Sequence, residues 1–274
     1  MQGLVHAALR EDIGRGDVTS QSLVGQAVTT TACVVTRAPC VVSGVRIAAL
    51  VFRMVDRGLR VRILANDGCR VGAGRCILRV KGKARSILAA ERVALNFLQR
   101  MTGIATLARR FVDRARPHGA RILDTRKTTP TLRALEKYAV RCGGGANHRM
   151  GLYDRILIKD NHRALWRRRG TLEEAVRAAR KRFPKLEIEV EVESLRDLQS
   201  VLRARPDWVL LDNMPLARMR RCVRLCRGRC RVEASGGITL KNVAAVARTG
   251  VDAVSVGALT HSAPAADLSL EFCA

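Results

Sequence analysis

The chain has 274 residues, 47% of them hydrophobic, with 50 Lys and Arg against 24 Asp and Glu, a net charge of +26. That length suits one barrel plus a small additional domain. No stretch approaches the roughly 18 apolar residues of a membrane span, and the opening MQGLVHAALREDIG lacks the apolar core of a secretory signal.

Aromatic residues are only 3% of the chain, so the core must be built from Val, Leu, Ile and Ala. The charge excess is mostly Arg and could recruit nucleic acid, membranes or phosphorylated metabolites. Scattered placement reads instead as a solvated surface, with the run Arg167-Arg168-Arg169 on an exposed loop. Nine cysteines, an odd number, are expected to be reduced thiols in the cytoplasm. Cys222, Cys226 and Cys230 recur every fourth residue, but Gly228 interrupts and no His completes a metal-ligand set.

Residues 1–102 carry strand-like runs, TACVVTRAPCVVSGV, LRVRILA and RCILRVKG, punctuated by Gly. A helix follows at SILAAERVALNFLQRMTG, with an apolar face of Leu88, Val93, Leu95, Phe97, Leu98 and Met101, and Gly103 is expected to end it. This half is expected to be an antiparallel sheet with helices.

From residue 103 to 261 strand and helix alternate. Six apolar runs, ARILDTRK, DRILIKDN, LEIEVEVE, DWVLLDN, RVEASGG and VDAVSVG, each end in a polar, charged or Gly residue. Helices fit LARRFVDRAR, MPLARMRRCVRL and LKNVAAVART, and Thr171 to Glu174 opens another as a capping box closed by Pro184. Such alternation predicts an α/β fold with parallel strands and crossover helices, here an open barrel of about six strands. The tail, 262–274, is expected to pack back on the first domain.

Charged tips on buried strands build an active site at one end of such a barrel. Arg126, Lys127 and Lys159 stand at strand ends and suit capture of carboxylate or phosphate. In LEIEVEVES the acids Glu187, Glu189, Glu191 and Glu193 share a face expected to point into the barrel. Lys127 and Lys159, on strands expected to be its neighbours, are the natural partners. Glu191 and Asp212, near the mouth, could hold sugar hydroxyls or a divalent ion, or belong to a structural ion-pair network. Ser235, Gly236 and Gly237 follow a strand and precede a helix, and Gly257-Ala258 ends the next strand. This pair of loops reads as a phosphate seat. Gly143, Gly144 and Gly145 read as a flexible cover near a ligand. His148 and His162 each read as structural.

The stretches EDIGRGDVTS, ERVALNFLQRMTGIAT, DTRKTTPTLRALEKYAVRCGGGANHRMGLYDRILIKDNH, EVEVESL, VLLDNM, EASGGI and GVDAVSVGALTHS run in order along nearly the whole chain. Together they resemble the quinolinate phosphoribosyltransferase family. That resemblance implies an N-terminal α/β sandwich and an open α/β barrel. It implies transfer of phosphoribosyl from 5-phosphoribosyl 1-pyrophosphate to quinolinate, with loss of CO2, in NAD biosynthesis. By resemblance Arg126, Lys127, His148, Arg149 and Lys159 line the quinolinate pocket, and Arg92 reaches into a partner subunit's site. Glu191 and Asp212 match acids near the ribose and the Mg2+-bound pyrophosphate. Ser235, Gly236, Gly237, Gly257 and Ala258 match the seat of the 5-phosphate. A homodimer, or a hexamer as a trimer of dimers, is implied, with no membrane and no specific nucleic-acid partner. Thr102 stands where Ser is common, and ALWRRRGTLEE departs from the usual loop after IKDNH. Two other readings compete. One is a superfamily relative acting on another heterocycle, as in molybdenum-transport-associated homologues. The other is a basic nucleic-acid-binding protein, for which no zinc-ligand, helix-turn-helix or aromatic-lined signature is present.

Overall fold

The structure is a computed structural model and describes residues 1–273. The chain forms two compact units. The first comprises residues 1–109, 135–144 and the segment from 262 onward. Its four-stranded antiparallel sheet contains β1 (Thr29–Thr36), β3 (Arg60–Ile63), β5 (Cys76–Lys83) and β12 (Leu268–Phe272), in the order β12-β1-β5-β3. The tail therefore does return to this unit, pairing Val34 with Leu270 and Val35 with Ser269. Two short strands, β2 (Cys40–Val41) and β4 (Arg70–Val71), pair beside the sheet.

Helices α1 (Gln2–Ile13) and α2 (Val18–Leu23) precede the sheet. Helix α3 (Val45–Val55), which the strand-like reading of this region did not separate, buries Ile47, Ala48, Val51 and Phe52 and lies against β3 and β5. Helix α4 (Ala84–Ala115) is far longer than expected, because Gly103 does not end it. Gly103 is there for close approach. A Cβ on it would lie 2.0 Å from the Pro264 carbonyl oxygen, so only glycine lets the returning tail cross the helix. Gly143, near the end of α5 (Arg133–Cys142), does the same. Its Cβ would meet the Ala105 carbonyl at 2.4 Å and the Ala108 methyl at 2.6 Å. The expected glycine cover is thus, at Gly143, a packing contact.

The second unit comprises residues 110–134 and 145–261. Its parallel sheet has six strands, β6 (Arg121–Leu123), β7 (Ile156–Ile158), β8 (Ile188–Val192), β9 (Trp208–Asp212), β10 (Arg231–Ser235) and β11 (Ala253–Ser255), in the order β6-β11-β10-β9-β8-β7. Each corresponds to one of the six apolar runs. Helices α6 (Asp160–Trp166), α7 (Leu172–Arg182), α8 (Leu195–Arg203), α9 (Leu216–Cys226) and α10 (Val243–Ala247) intervene, and α11 (Ala258–His261) follows the last strand. The capping box at Thr171 and Glu174 is formed.

β6 and β7 are the two edges, so the barrel is open. This corrects one expectation. Lys159 follows the strand beside β8, but Lys127 follows the opposite edge strand, whose neighbour is β11. Side-chain alternation decides what faces inward. On β8 Ile188, Val190 and Val192 take one face, and Glu189 and Glu191 the other, all of them buried. Trp208, at the start of β9, is buried with the Arg231 and Arg155 guanidiniums at 4.3 and 5.2 Å from its ring. The interior of this unit is therefore layered with charge as well as with apolar side chains.

Candidate active site

At the C-terminal ends of the six parallel strands a cavity of about 810 Å³ opens. Residues following both edge strands line it, so the sheet curls enough to bring Lys127 and Lys159 to one space. One wall is cationic. After β6 the chain turns tightly, with the Thr125 hydroxyl accepting from the Lys127 N–H at 3.0 Å. The Lys127 carbonyl accepts from the Thr260 hydroxyl on α11 at 2.7 Å, which fixes this turn against the helix that follows the neighbouring strand β11. Arg126 Nε is buried without a protein hydrogen-bond partner. Burial and then the neighbouring Arg126 guanidinium depress the pKa of Arg149. Two guanidiniums that repel each other across a cavity wall form a site whose natural occupant is an anion.

The opposite wall carries Lys159, Glu191 and Asp212. Lys159 Nζ lies 3.3 Å from Glu191 Oε2. Burial raises the pKa of Glu191, and the lysine offsets this only in part. Asp212 is half-buried at the mouth, its Oδ2 accepting from Asn213 Nδ2 at 2.8 Å. His162 is structural, as expected. Its Nδ1 accepts from the Lys159 N–H and completes a capping box at the start of α6.

The third element is the glycine-lined seat. Gly236 and Gly237 take φ values of 87° and 59°, the left-handed region where other residues are strained. A Cβ on Gly236 would lie 2.2 Å from Asn213 Oδ1. Asn213 donates its N–H to the Ser235 carbonyl at 3.0 Å, locking the two loops together. The helix expected after these glycines is present as α10, but it begins only at Val243, so its N-terminus does not adjoin the glycine turn. Instead Asn242 Nδ2 donates to the Gly237 carbonyl at 2.9 Å. Gly257 and Ala258 lead directly into α11, and a Cβ on Gly257 would press within 3.3 Å of the Lys127 side chain.

His148 is buried, with both ring nitrogens engaged. Nδ1 accepts from the Arg149 main-chain N–H at 2.7 Å, and Nε2 lies 3.0 Å from Glu189 Oε2. Glu189 also accepts from Arg155 at 3.3 Å, and Glu187 from Arg155 at 2.7 Å. The inward acids of β8 thus divide. Glu191 pairs with Lys159, whereas Glu189 pairs with His148 and Arg155 instead of Lys127. Arg155, Asn213, Glu233 and His261 were not singled out from the sequence. Alternation along LEIEVEVES flags Glu189, and the same period-two count along RVEAS could have flagged Glu233.

Of the residues singled out, Arg126, Lys127, His148, Arg149, Lys159, Glu191, Asp212, Ser235, Gly236, Gly237, Gly257 and Ala258 all line this one cavity. Arg92 does not, and is exposed on α4 in the first unit. No helix among the described residues is long and apolar enough to cross a membrane.

Comparison with known proteins places these features in context. Residues 17–102 match the N-terminal domain model, and residues 104–271 the C-terminal domain model, of quinolinate phosphoribosyl transferase. The chain is 45% identical to a nicotinate-nucleotide pyrophosphorylase (carboxylating) from Mycobacterium leprae, over 97% of this chain and 95% of that protein. It resembles the solved nicotinate-nucleotide pyrophosphorylase of Francisella tularensis with a TM-score of 0.93 at 40% identity, covering 98% and 95% of the two chains. It resembles NadC of Streptococcus pyogenes with a TM-score of 0.94 at 36% identity, covering 100% and 97%.

Proposed function

The chain belongs to the quinolinate phosphoribosyltransferase family, enzymes of de novo NAD biosynthesis, and from that premise we propose that the barrel cavity is where phosphoribosyl transfer takes place. The reaction joins quinolinate to 5-phosphoribosyl 1-pyrophosphate and yields nicotinate mononucleotide, pyrophosphate and CO2. A single observation supports the cavity most. Four cations, Arg126, Lys127, Arg149 and Lys159, share one space with a glycine-lined turn and the carboxylates of Glu191 and Asp212.

The chemistry fits that arrangement. Quinolinate presents two carboxylates beside a weakly nucleophilic ring nitrogen. Arg126 and Arg149 neutralise the carboxylates and aim the nitrogen at the anomeric carbon, which converts a bimolecular encounter into an oriented one. The nitrogen lone pair forms the new bond to that carbon as the bond to pyrophosphate breaks. Glu191 and Asp212 hold the ribose, and their negative charge favours the cation developing on the sugar. Lys127 and Lys159 stabilise the departing oxygens. Once the ring nitrogen is quaternary, its positive charge stabilises the electron pair left on the adjacent ring carbon as the carbon–carboxylate bond breaks. CO2 then leaves and the vacated ring carbon takes up a proton. The turn at Ser235, Gly236 and Gly237, with Gly257 and Ala258, receives the 5-phosphate.

Mg2+ suits this site at Asp212. Lys159 already occupies Glu191 Oε2, whereas Asp212 offers a hard carboxylate oxygen at the open mouth, and such an ion would neutralise the pyrophosphate. A homodimer, or a trimer of dimers, with Arg92 completing the partner's site, extends the reading to the assembly. The chain is a cytoplasmic enzyme in this reading.

The deciding experiment is CO2 release from carboxyl-labelled quinolinate in the presence of 5-phosphoribosyl 1-pyrophosphate and Mg2+. Release dependent on both substrates is expected. Turnover of another heterocycle with no release from quinolinate would overturn the reading in favour of a relative with different specificity.

A further inference from the structure

At the floor of the cavity lies a buried polar layer that includes His148 and Glu233. Glu189 on β8 and Glu233 on β10 are both sealed from solvent. Glu189 Oε2 is held by His148 Nε2 at 3.0 Å and by Arg155 Nη1 at 3.3 Å. Glu233 has no such cation; its nearest ion-pair contact is His148 Nε2 at 3.6 Å. Glu189 Oε1 and both oxygens of Glu233 find no protein hydrogen-bond partner. The polar groups facing Glu233 are Glu189 and His148 and, from β11, Ser255, with Arg155 beyond Glu189. Two ionised carboxylates against one guanidinium would leave an uncompensated buried charge at the floor of a site for a dianion.

One proton resolves this. Placed on Glu233 and donated to Glu189, it pairs orphaned oxygens on both acids and removes the surplus charge. A divalent ion would not. The donor atoms of His148, Glu189 and Glu233 do lie within 4.8 Å of one another. However, the His148 Nδ1 lone pair accepts from the Arg149 N–H at 2.7 Å, so the ring hydrogen sits on Nε2 and leaves no lone pair there for a metal.

We infer that Glu233 is a positioning residue for the pyridine half of the pocket: as a neutral acid hydrogen-bonded to Glu189 it anchors the carboxylate that clamps His148, and His148 in turn holds the Arg149 main chain at the cavity wall. This rests on the quinolinate reading, in which Arg149 meets a substrate carboxylate. Glu233 acts through two other side chains and is not a catalytic residue.

The test compares Glu233→Ala with Glu233→Gln. The alanine variant should raise KM for quinolinate about tenfold, with KM for 5-phosphoribosyl 1-pyrophosphate within about twofold of wild type. Glutamine, neutral and able to donate, should restore quinolinate KM to within about threefold. An unchanged quinolinate KM in Glu233→Ala, a rise in both KM values together, or a glutamine variant as impaired as alanine would each overturn the inference. If the alanine variant does not fold, the glutamine variant and nitrogen NMR of the His148 ring decide. The neutral ring with hydrogen on Nε2 is expected, and an imidazolium, or one metal ion per chain lost in Glu233→Gln, would overturn it. The NMR readout needs no substrate, so its failure is distinct from a wild-type protein that releases no CO2 from quinolinate.

Discussion

The Lys159 ammonium lies 3.3 Å from Glu191 while 47% of its side chain remains exposed to the cavity. It is therefore tethered on one side and available on the other, which suits the role proposed for it toward departing pyrophosphate. Lys159→Ala and Lys127→Ala should each lower turnover by about 10²–10³-fold, the range found when a preorganised electrostatic group is removed. Steady-state kinetics of either purified variant near wild type would exclude that residue from the chemistry. Glu233 permits a separate stability prediction. Burial, and then Glu189, raise its pKa well above that of a free glutamate. A raised acid contributes stability that is full below the unfolded value near 4.5 and is lost as pH climbs toward the folded value. Glu233→Gln does not titrate, so it should gain stability relative to wild type by up to about 1.4 kcal/mol per pH unit above that point. Urea unfolding at pH 5 and pH 7.5 measures the difference, and a gap that shrinks with pH would contradict the burial argument.

Among the elements, alternation on the parallel strands does most to build the site. Period two sends Glu189 and Glu191 to one face of β8 and Ile188, Val190 and Val192 to the other, and that much is legible in the residue string. What alternation cannot supply is strand order. Lys127 and Lys159 are close to the same ligand space although their strands are the two edges of the sheet. Nor does local sequence announce why a glycine is required. Gly103 reads as a helix stop because glycine is a poor helix former, yet α4 continues through it, and the reason lies 161 positions away at Pro264. Gly103→Ala should therefore destabilise the protein by about 2–4 kcal/mol despite the better helix propensity of alanine, because the clash is with backbone. A rise in the melting temperature would refute that account. Gly236→Ala faces both a positive φ and the Asn213 amide at 2.2 Å. It should weaken 5-phosphoribosyl 1-pyrophosphate at least tenfold while leaving quinolinate binding within about threefold, read from the two KM values.

For the molecule as a whole, the charge of +26 is far larger than one anion-binding cavity requires. On α9, Arg218, Arg220, Arg221 and Arg224 are all exposed, as is Arg227 at its C-cap. Such a surface should bind polyanions loosely and lose them as salt is raised, since each contact releases counterions. Binding of a short RNA should vanish by moderate salt with catalysis intact; retention at high salt would revive the nucleic-acid reading. Assembly is tested through Arg92. Mixed dimers of Arg92→Ala with Lys159→Ala should recover activity from the one site built of two intact halves, whereas self-contained sites would recover none.

The sequence alone determined the kind of structure and the kind of chemistry. Hydrophobic period and turn residues are properties of neighbouring positions, so six strands with charged tips could be read directly, and the motifs they carry indicated the family. The tertiary structure alone decided which tips share a cavity, which acid pairs with which base, and why Gly103 and Gly143 must lack a side chain. Those are distances between residues far apart in the chain, and they exist only once the sheet has curled and the tail has crossed its helix.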